Sequence, residues 1–222
     1  TSSAAGALEP ESAQAACATL MSIADRLTAV RRLMADAAQS AGRDPSSVQL
    51  IAVSKTFPVD AVREAYAAGQ RDFGENRVQE ALHKMGATAD LQIRWHLLGH
   101  LQTNKARKAA PAFANIQSVD TIELLDKLDR AAADAGAQPE LLIQVDLAGE
   151  ATKAGAPVAD VPALLDAAAR CRAAAVVGLM TLPQLGWLMQ GAALVITNDS
   201  ASLHLASAAH APTTPNRPVP AM

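Results

Sequence analysis

Aromatic side chains are scarce in this 222-residue chain, at 3%, with Trp 2, Tyr 1 and Phe 3. Surfaces that grip bases or sugars by stacking need more of them, so an aromatic recognition face is excluded. Charge of one sign is lacking too: 19 Lys+Arg stand against 22 Asp+Glu, interspersed, for a net charge of −3. Such a balance offers no pull toward nucleic acid or an anionic membrane. No apolar run approaches the ~20 residues that a membrane-spanning helix needs. Only Cys17 and Cys171 carry thiols. They have neither metal-ligand spacing nor a framework of pairs, which points to a reducing cytosol. Residues 1–20 are small, acidic and Ala-rich, without the basic start and apolar core of a signal peptide. They are expected to be a disordered extension, with Met21 as the natural start.

Half of the residues are hydrophobic, and they recur in an ordered alternation. Ser22 and Asp25 form a capping-box pattern ahead of Ile23, Leu27, Val30 and Met34 at helical spacing, and Gly42 closes that helix. Short apolar runs of strand type follow at Val48–Ser54, Asp72–Gly74, Ile93–Leu98, Asn115–Val119, Leu141–Leu147 and Val176–Leu182. A seventh is expected at Leu194–Thr197, and an eighth is absent. Amphipathic segments separate them: one opened by Pro58 and ended by Gly69, then Arg77–Met85, one from Asn104, one capped by Asp120 with Glu123, and one from Asp160. Strands alternating with helices imply an α/β protein with a parallel sheet and right-handed crossovers, on the scale of a (β/α) TIM-type barrel. A doubly wound open sheet is the other arrangement this alternation allows, although no GxGxxG follows the first strand.

Lys55 ends the first strand, in IAVSKT. Strand C-terminal ends open onto the mouth of a barrel, where ligands bind. An amine sheltered there by apolar walls loses hydration that favours its charged form, and the neutral amine condenses with aldehydes. Position alone leaves a solvated strand-end lysine as the commoner reading.

The runs VQLIAVSKT, AGQRDFGENRVQEA, RWHLLGHLQTNK, LLIQVDLAGEATKAG and VVGLMTLP, in this order between Met21 and Pro183, resemble the pyridoxal-phosphate homeostasis protein family. That family is similar to the N-terminal barrel of alanine racemase. The resemblance implies a cytoplasmic TIM-type barrel that holds pyridoxal 5′-phosphate through a lysine Schiff base, without turnover, in vitamin B6 homeostasis and amino/keto acid balance. Lys55 matches the family's Schiff-base lysine. Asn76, in FGEN, is implied to donate a hydrogen bond near the cofactor ring, or else to cap the next helix. Met180, in GLM, is implied to pack against the ring, or else to fill the core. His96 reads as a satisfied core residue, His100 departs from the small residue or proline usual in the family, and Lys105, Arg107 and Lys108 read as a wet helix face. Racemisation would need a second acid–base group from an added β domain. The single tyrosine, Tyr66, lies inside the helix after the first strand and is not placed to supply it.

After Pro183 the resemblance stops. The family continues with a Ser/Gly/Met-rich turn and an Arg-x-Gly pattern that hold the phosphate, and neither occurs here. The barrel, residues 21–183, is therefore expected to be incomplete at its C-terminal end, truncated relative to the family, with weakened cofactor binding. Residues 184–213 resemble instead a strand–helix fragment of a heptosyltransferase-like glycosyltransferase, with Asn198, Asp199 and Ser200 at a helix start. Ser200 is a candidate substitute for the missing phosphate turn, and residues 214–222 are expected to be disordered. The expected ligand is a small-molecule cofactor on a monomer, with no metal, no nucleic acid and no membrane. A racemase-like enzyme and a non-binding remnant are the alternatives.

Overall fold

In the computed structural model the structure describes residues 22–147 and 154–181. The readings of residues 1–20, of Leu194–Thr197, of Ser200 and of everything beyond Thr181 lie outside the described residues.

Helix α1 (Ile23–Ser40) starts on the expected capping box: the Asp25 N–H donates to Ser22 Oγ at 3.2 Å, and the Ser22 N–H donates to Asp25 Oδ2 at 3.2 Å. Gly42, at φ +67°, lets the chain turn back so that the Arg43 N–H reaches the Ala38 carbonyl at 2.9 Å. The alternation then runs β1 (Ala52–Val53), α2 (Val59–Ala67), β2 (Asp72–Glu75), α3 (Val78–Ala87) and β3 (Arg94–Leu97). It continues through α4 (Ala106–Ala109), β4 (Asn115–Val119), α5 (Ile122–Ala135), β5 (Glu140–Asp146), β6 (Ala156–Pro157), α6 (Val161–Ala168) and β7 (Ala175–Thr181). Two-residue β6, which the sequence did not announce, pairs only with the end of β5.

All strand pairs are parallel, and β1 to β5 lie in chain order with β7 beside β5. One core joins Phe73, Trp95, Leu97, Ile116 and Leu141 of the strands to Val62, Ala65, Val78, Ala81, Leu124, Leu125, Leu128 and Ala167 of the helices. The helices therefore cover one face of the sheet. A doubly wound sheet would reverse its strand order at a switch point and carry helices on both faces. Among the described residues neither occurs, so the sheet is singly wound in the manner of a TIM-type barrel.

Three local expectations are corrected. The β1 ladder is shorter than Val48–Ser54, because only Ala52 and Val53 align with Phe73 and Gly74. Helix α5 is capped by Thr121 rather than Asp120: Thr121 Oγ1 accepts the Leu124 N–H at 3.2 Å. The segment from Asn104 opens as a 3-10 turn, Thr103–Lys105, before α4.

Candidate functional site

The Ser54 N–H donates to the Gly74 carbonyl at 2.9 Å, carrying the β1–β2 ladder one residue past the strand. Successive side chains on a strand alternate between faces. Ala52 packs into the helix-side core, so Ile51, Val53 and Lys55 belong to the opposite, inner face. Lys55 thus stands at the C-terminal end of β1, half-buried, on the face the helices leave open. The same alternation puts Asn76 on the inner face, one residue beyond β2.

Helix α3 starts with Arg77 as its N-cap, with no side-chain capping bond. Asn76 therefore does not cap it, and its buried Oδ1 has no hydrogen-bond partner. Gly99 lies so close beneath it that a Cβ there would collide with the Asn76 carbonyl, so only glycine lets the loop after β3 approach. Met180 is 7% exposed and aligns with Gln144 of β5, near the C-terminal end of β7. Beside it, Thr181 Oγ1 is buried without a partner. All three sequence-predicted residues sit at strand C-terminal ends. Lys55 and Asn76 are on neighbouring strands, and Met180 is on β7.

Behind β1 lies a polar cluster that the sequence reading missed. Lys84, 4% exposed on α3, donates to the Ser54 carbonyl at 2.6 Å, to Glu75 Oε1 at 2.7 Å and to Glu80 Oε1 at 3.1 Å. The Ser54 hydroxyl donates to the same Glu75 oxygen at 2.6 Å, and the Thr56 N–H donates to Glu80 Oε1 at 3.1 Å. The Thr56 amide and the Lys84 ammonium hold the Glu80 carboxyl below the usual carboxylate range. Among the described residues Thr56 is the one non-glycine with positive φ, +67°. A β-branched residue in that region carries about 1–3 kcal/mol of strain. One signal was available in the sequence. Val78, Ala81 and Met85 trace the apolar stripe of α3, and Lys84 interrupts it three residues after Ala81.

The inner face below the mouth is also polar. His96, 2% exposed, donates from Nε2 to Asp72 Oδ1 at 3.0 Å, and Gln117 Nε2 donates to its Nδ1 at 3.2 Å. Burial pushes the imidazole below its usual range, against the raising pull of the Asp72 bond, so it is a neutral, satisfied core histidine. Tyr66 is at the other end of the strands. Its hydroxyl accepts the Gln92 N–H at 3.3 Å just ahead of β3, and its ring lies 3.9 Å under the Arg71 guanidinium. His100 Nδ1, after β3, is 3.4 Å from Asp120 Oδ2, after β4. Arg107 and Lys108 are exposed. Among the described residues no group of His, Cys, Asp or Glu is placed to hold a metal, and no helix is long and apolar enough to cross a membrane.

Known proteins share this frame. The alanine racemase N-terminal domain matches residues 26–187. A pyridoxal phosphate homeostasis protein of Pseudomonas aeruginosa is 44% identical over 166 residues, covering 74% of this chain and 72% of its own length. The one of Bos taurus is 40% identical over 171 residues, and this chain spans 63% of it. The structure of PipY from Synechococcus elongatus with PLP bound shares 47% identity at a TM-score of 0.64, over 73% of this chain and 71% of that one. Alanine racemase from Streptomyces coelicolor, at 23% identity and a TM-score of 0.54 over 68% of this chain and 40% of its own, shares the fold. A parallel sheet wound in one direction, a lysine at the rim of its first strand and these matches together make the chain a member of the pyridoxal phosphate homeostasis protein family, on the alanine racemase N-terminal fold.

Proposed function

We propose that this protein binds pyridoxal 5′-phosphate through a Schiff base on Lys55 and serves vitamin B6 homeostasis and amino/keto acid balance, without catalysis. The observation that carries the reading is the position of Lys55 just past the end of β1, on the strand next to β2, after which Asn76 carries a buried, unpartnered Oδ1. A buried amide oxygen without a partner costs about 1–3 kcal/mol unless a ligand or water satisfies it. The open atom is an acceptor rather than the donor expected of Asn76, so it suits a donor on the ligand, and together with the Lys55 amine it supports a site for the aldehyde and ring portions of the cofactor. Lys55 Nζ forms the C=N bond with the aldehyde carbon, and the aldehyde oxygen leaves as water. Asn76 supplies a polar contact at the ring edge and Met180 an apolar, polarisable one.

Turnover needs an acid–base group facing the cofactor from the other side. Tyr66 is committed elsewhere, with its hydroxyl on Gln92 ahead of β3, and that supports a non-catalytic role. The ligand is a small molecule, and the setting is a cytoplasmic monomer. The test is a visible absorption titration with pyridoxal phosphate, comparing the parent chain with Lys55→Ala. An imine band in the parent alone supports the reading; equal bands, or none, overturn it.

A further inference from the structure

We infer that Lys84 is a positioning residue for Lys55: with Glu75 and Glu80 it clamps the backbone on both sides of that lysine and fixes where the amine emerges. This inference rests on the reading of Lys55 as the cofactor lysine.

The peptide units around Lys55 are gripped from one helix. The carbonyl just before it, on Ser54, accepts Lys84 Nζ at 2.6 Å. The N–H just after it, on Thr56, donates to Glu80 Oε1 at 3.1 Å. Lys84 joins these two grips, because it also donates to Glu80 at 3.1 Å and to Glu75 at 2.7 Å. All three ammonium protons are thereby used, two of them on carboxylates and one on the backbone of β1. Glu75 is anchored in β2 and takes the Ser54 hydroxyl as well, at 2.6 Å, so β1 and β2 are tied at the mouth by side chains as well as by the ladder.

Stability alone gives no reason for this arrangement. Removing two charges from water is costly, and well-packed apolar residues of similar volume commonly serve as well or better. The backbone supplies the reason. Thr56 is held at φ +67°, a conformation that persists only where its surroundings over-determine it. With its neighbouring peptide units fixed, Lys55 has a set Cα–Cβ direction, which limits where its amine can meet the aldehyde. Such support from behind is what holds a reacting group within the narrow range a bond-forming geometry tolerates.

The experiment compares the parent chain, Lys84→Met/Glu75→Gln, which removes both buried charges together, and Glu80→Ala, which removes the Thr56 acceptor and one of the two carboxylate partners of Lys84 at a partly exposed site while leaving the Lys84–Glu75 pair in place. Two readouts are taken at matched urea midpoints: pyridoxal phosphate affinity from the imine absorbance, and Thr56 amide exchange in the cofactor-free chain. The expected result is a loss of about tenfold in affinity for the double variant and about threefold for Glu80→Ala, with faster Thr56 exchange in both. Unchanged affinity and exchange in folded variants would overturn the clamp while leaving Lys55 in its role. Absence of an imine in the parent chain would overturn the cofactor reading and this inference together. Should the double variant fail to fold, Glu80→Ala decides the question on both readouts.

Discussion

Two seams between the sheet and its helices have opposite chemistry. Around β4, β5 and α5 the seam is apolar: Ile116, Leu124, Leu125, Leu128 and Leu141 are each 1% exposed or less. Around β1, β2 and α3 the equivalent layer holds Ser54, Glu75 and Lys84, at 6%, 0% and 4%. The first seam is what a sheet and a helix make by default, since each fully buried leucine contributes about 1.5–3 kcal/mol by leaving water. The second gives up that gain beside Lys55 and replaces it with directed bonds to the backbone of β1. Packing in one seam and positioning in the other can be separated by substitution.

The largest effect is expected from Lys84→Met alone. It leaves the fully buried Glu75 carboxylate without its cation and should cost about 3–5 kcal/mol in urea unfolding. Adding Glu75→Gln should recover most of that loss but not the cofactor affinity. A loss below about 1 kcal/mol for the single change would mean that the pair is not the buried ion pair described here. Leu128→Ala, in the apolar seam, should cost about 2–4 kcal/mol by leaving a cavity. Measured well below its melting temperature, it should load pyridoxal phosphate as the parent does, and weaker loading would erase the distinction between the seams.

A smaller effect is expected at the entry to β7. Asp129 Oδ1 on α5 accepts the N–H groups of Arg172, Ala173 and Ala174 at 2.9, 2.8 and 2.9 Å. Burial pushes this carboxyl up, but the three backbone donors more than offset it and the group sits below its usual range. Asp129→Ala should cost about 2 kcal/mol, with amide exchange rising first at residues 172–174.

The smallest effect is in pH. The His96 imidazole is depressed by burial, so below about pH 6.5 the unfolded chain takes up a proton that the folded one refuses. Stability should therefore decline as pH falls from 7 through 6, and His96→Gln should flatten that part of the profile. Glu80 has the same sense in a lower window. Its folded carboxyl is depressed by the Thr56 amide first and by Lys84 next, so its contribution is present above its unfolded value and lost as pH falls through the folded one.

Much of this frame was legible in the chain. Short apolar runs between amphipathic segments located β4 at Asn115–Val119 to the residue, and β2, β3, β5 and β7 to within one residue at either end. Strands β2 to β5 are buried on the helix side, and burial is what writes an apolar run into a sequence; β7 carries such a run although Val177 and Leu179 are each 55% exposed among the described residues. Strand β1 was overextended because Val48, Leu50 and Ile51 are apolar without being laddered, and hydropathy does not distinguish a packed approach from a paired strand. Thr121 displaced Asp120 as the α5 cap because both residue types cap well, and only backbone geometry chooses between neighbours. Lys55 was singled out as the candidate by its motif, whereas its position alone read as a solvated strand-end lysine. Of the clamp behind it, only Lys84 left a mark, as a break in the apolar stripe of α3; its partners at 54, 56, 75 and 80 are assembled by the β1–β2 register and the α3 crossover, which periodicity does not encode. The Asn76 amide illustrates the same limit: its freedom from capping appears only when Arg77 is seen to begin the helix.

Which amine takes the aldehyde decides the role of the site. The chain is loaded with pyridoxal phosphate, reduced with borohydride, digested and mapped by mass spectrometry. The expected result is a single reduced adduct on the peptide carrying Lys55, lost in Lys55→Ala. An adduct on Lys84, Lys105 or Lys108 in place of Lys55, or no adduct at all, would contradict it.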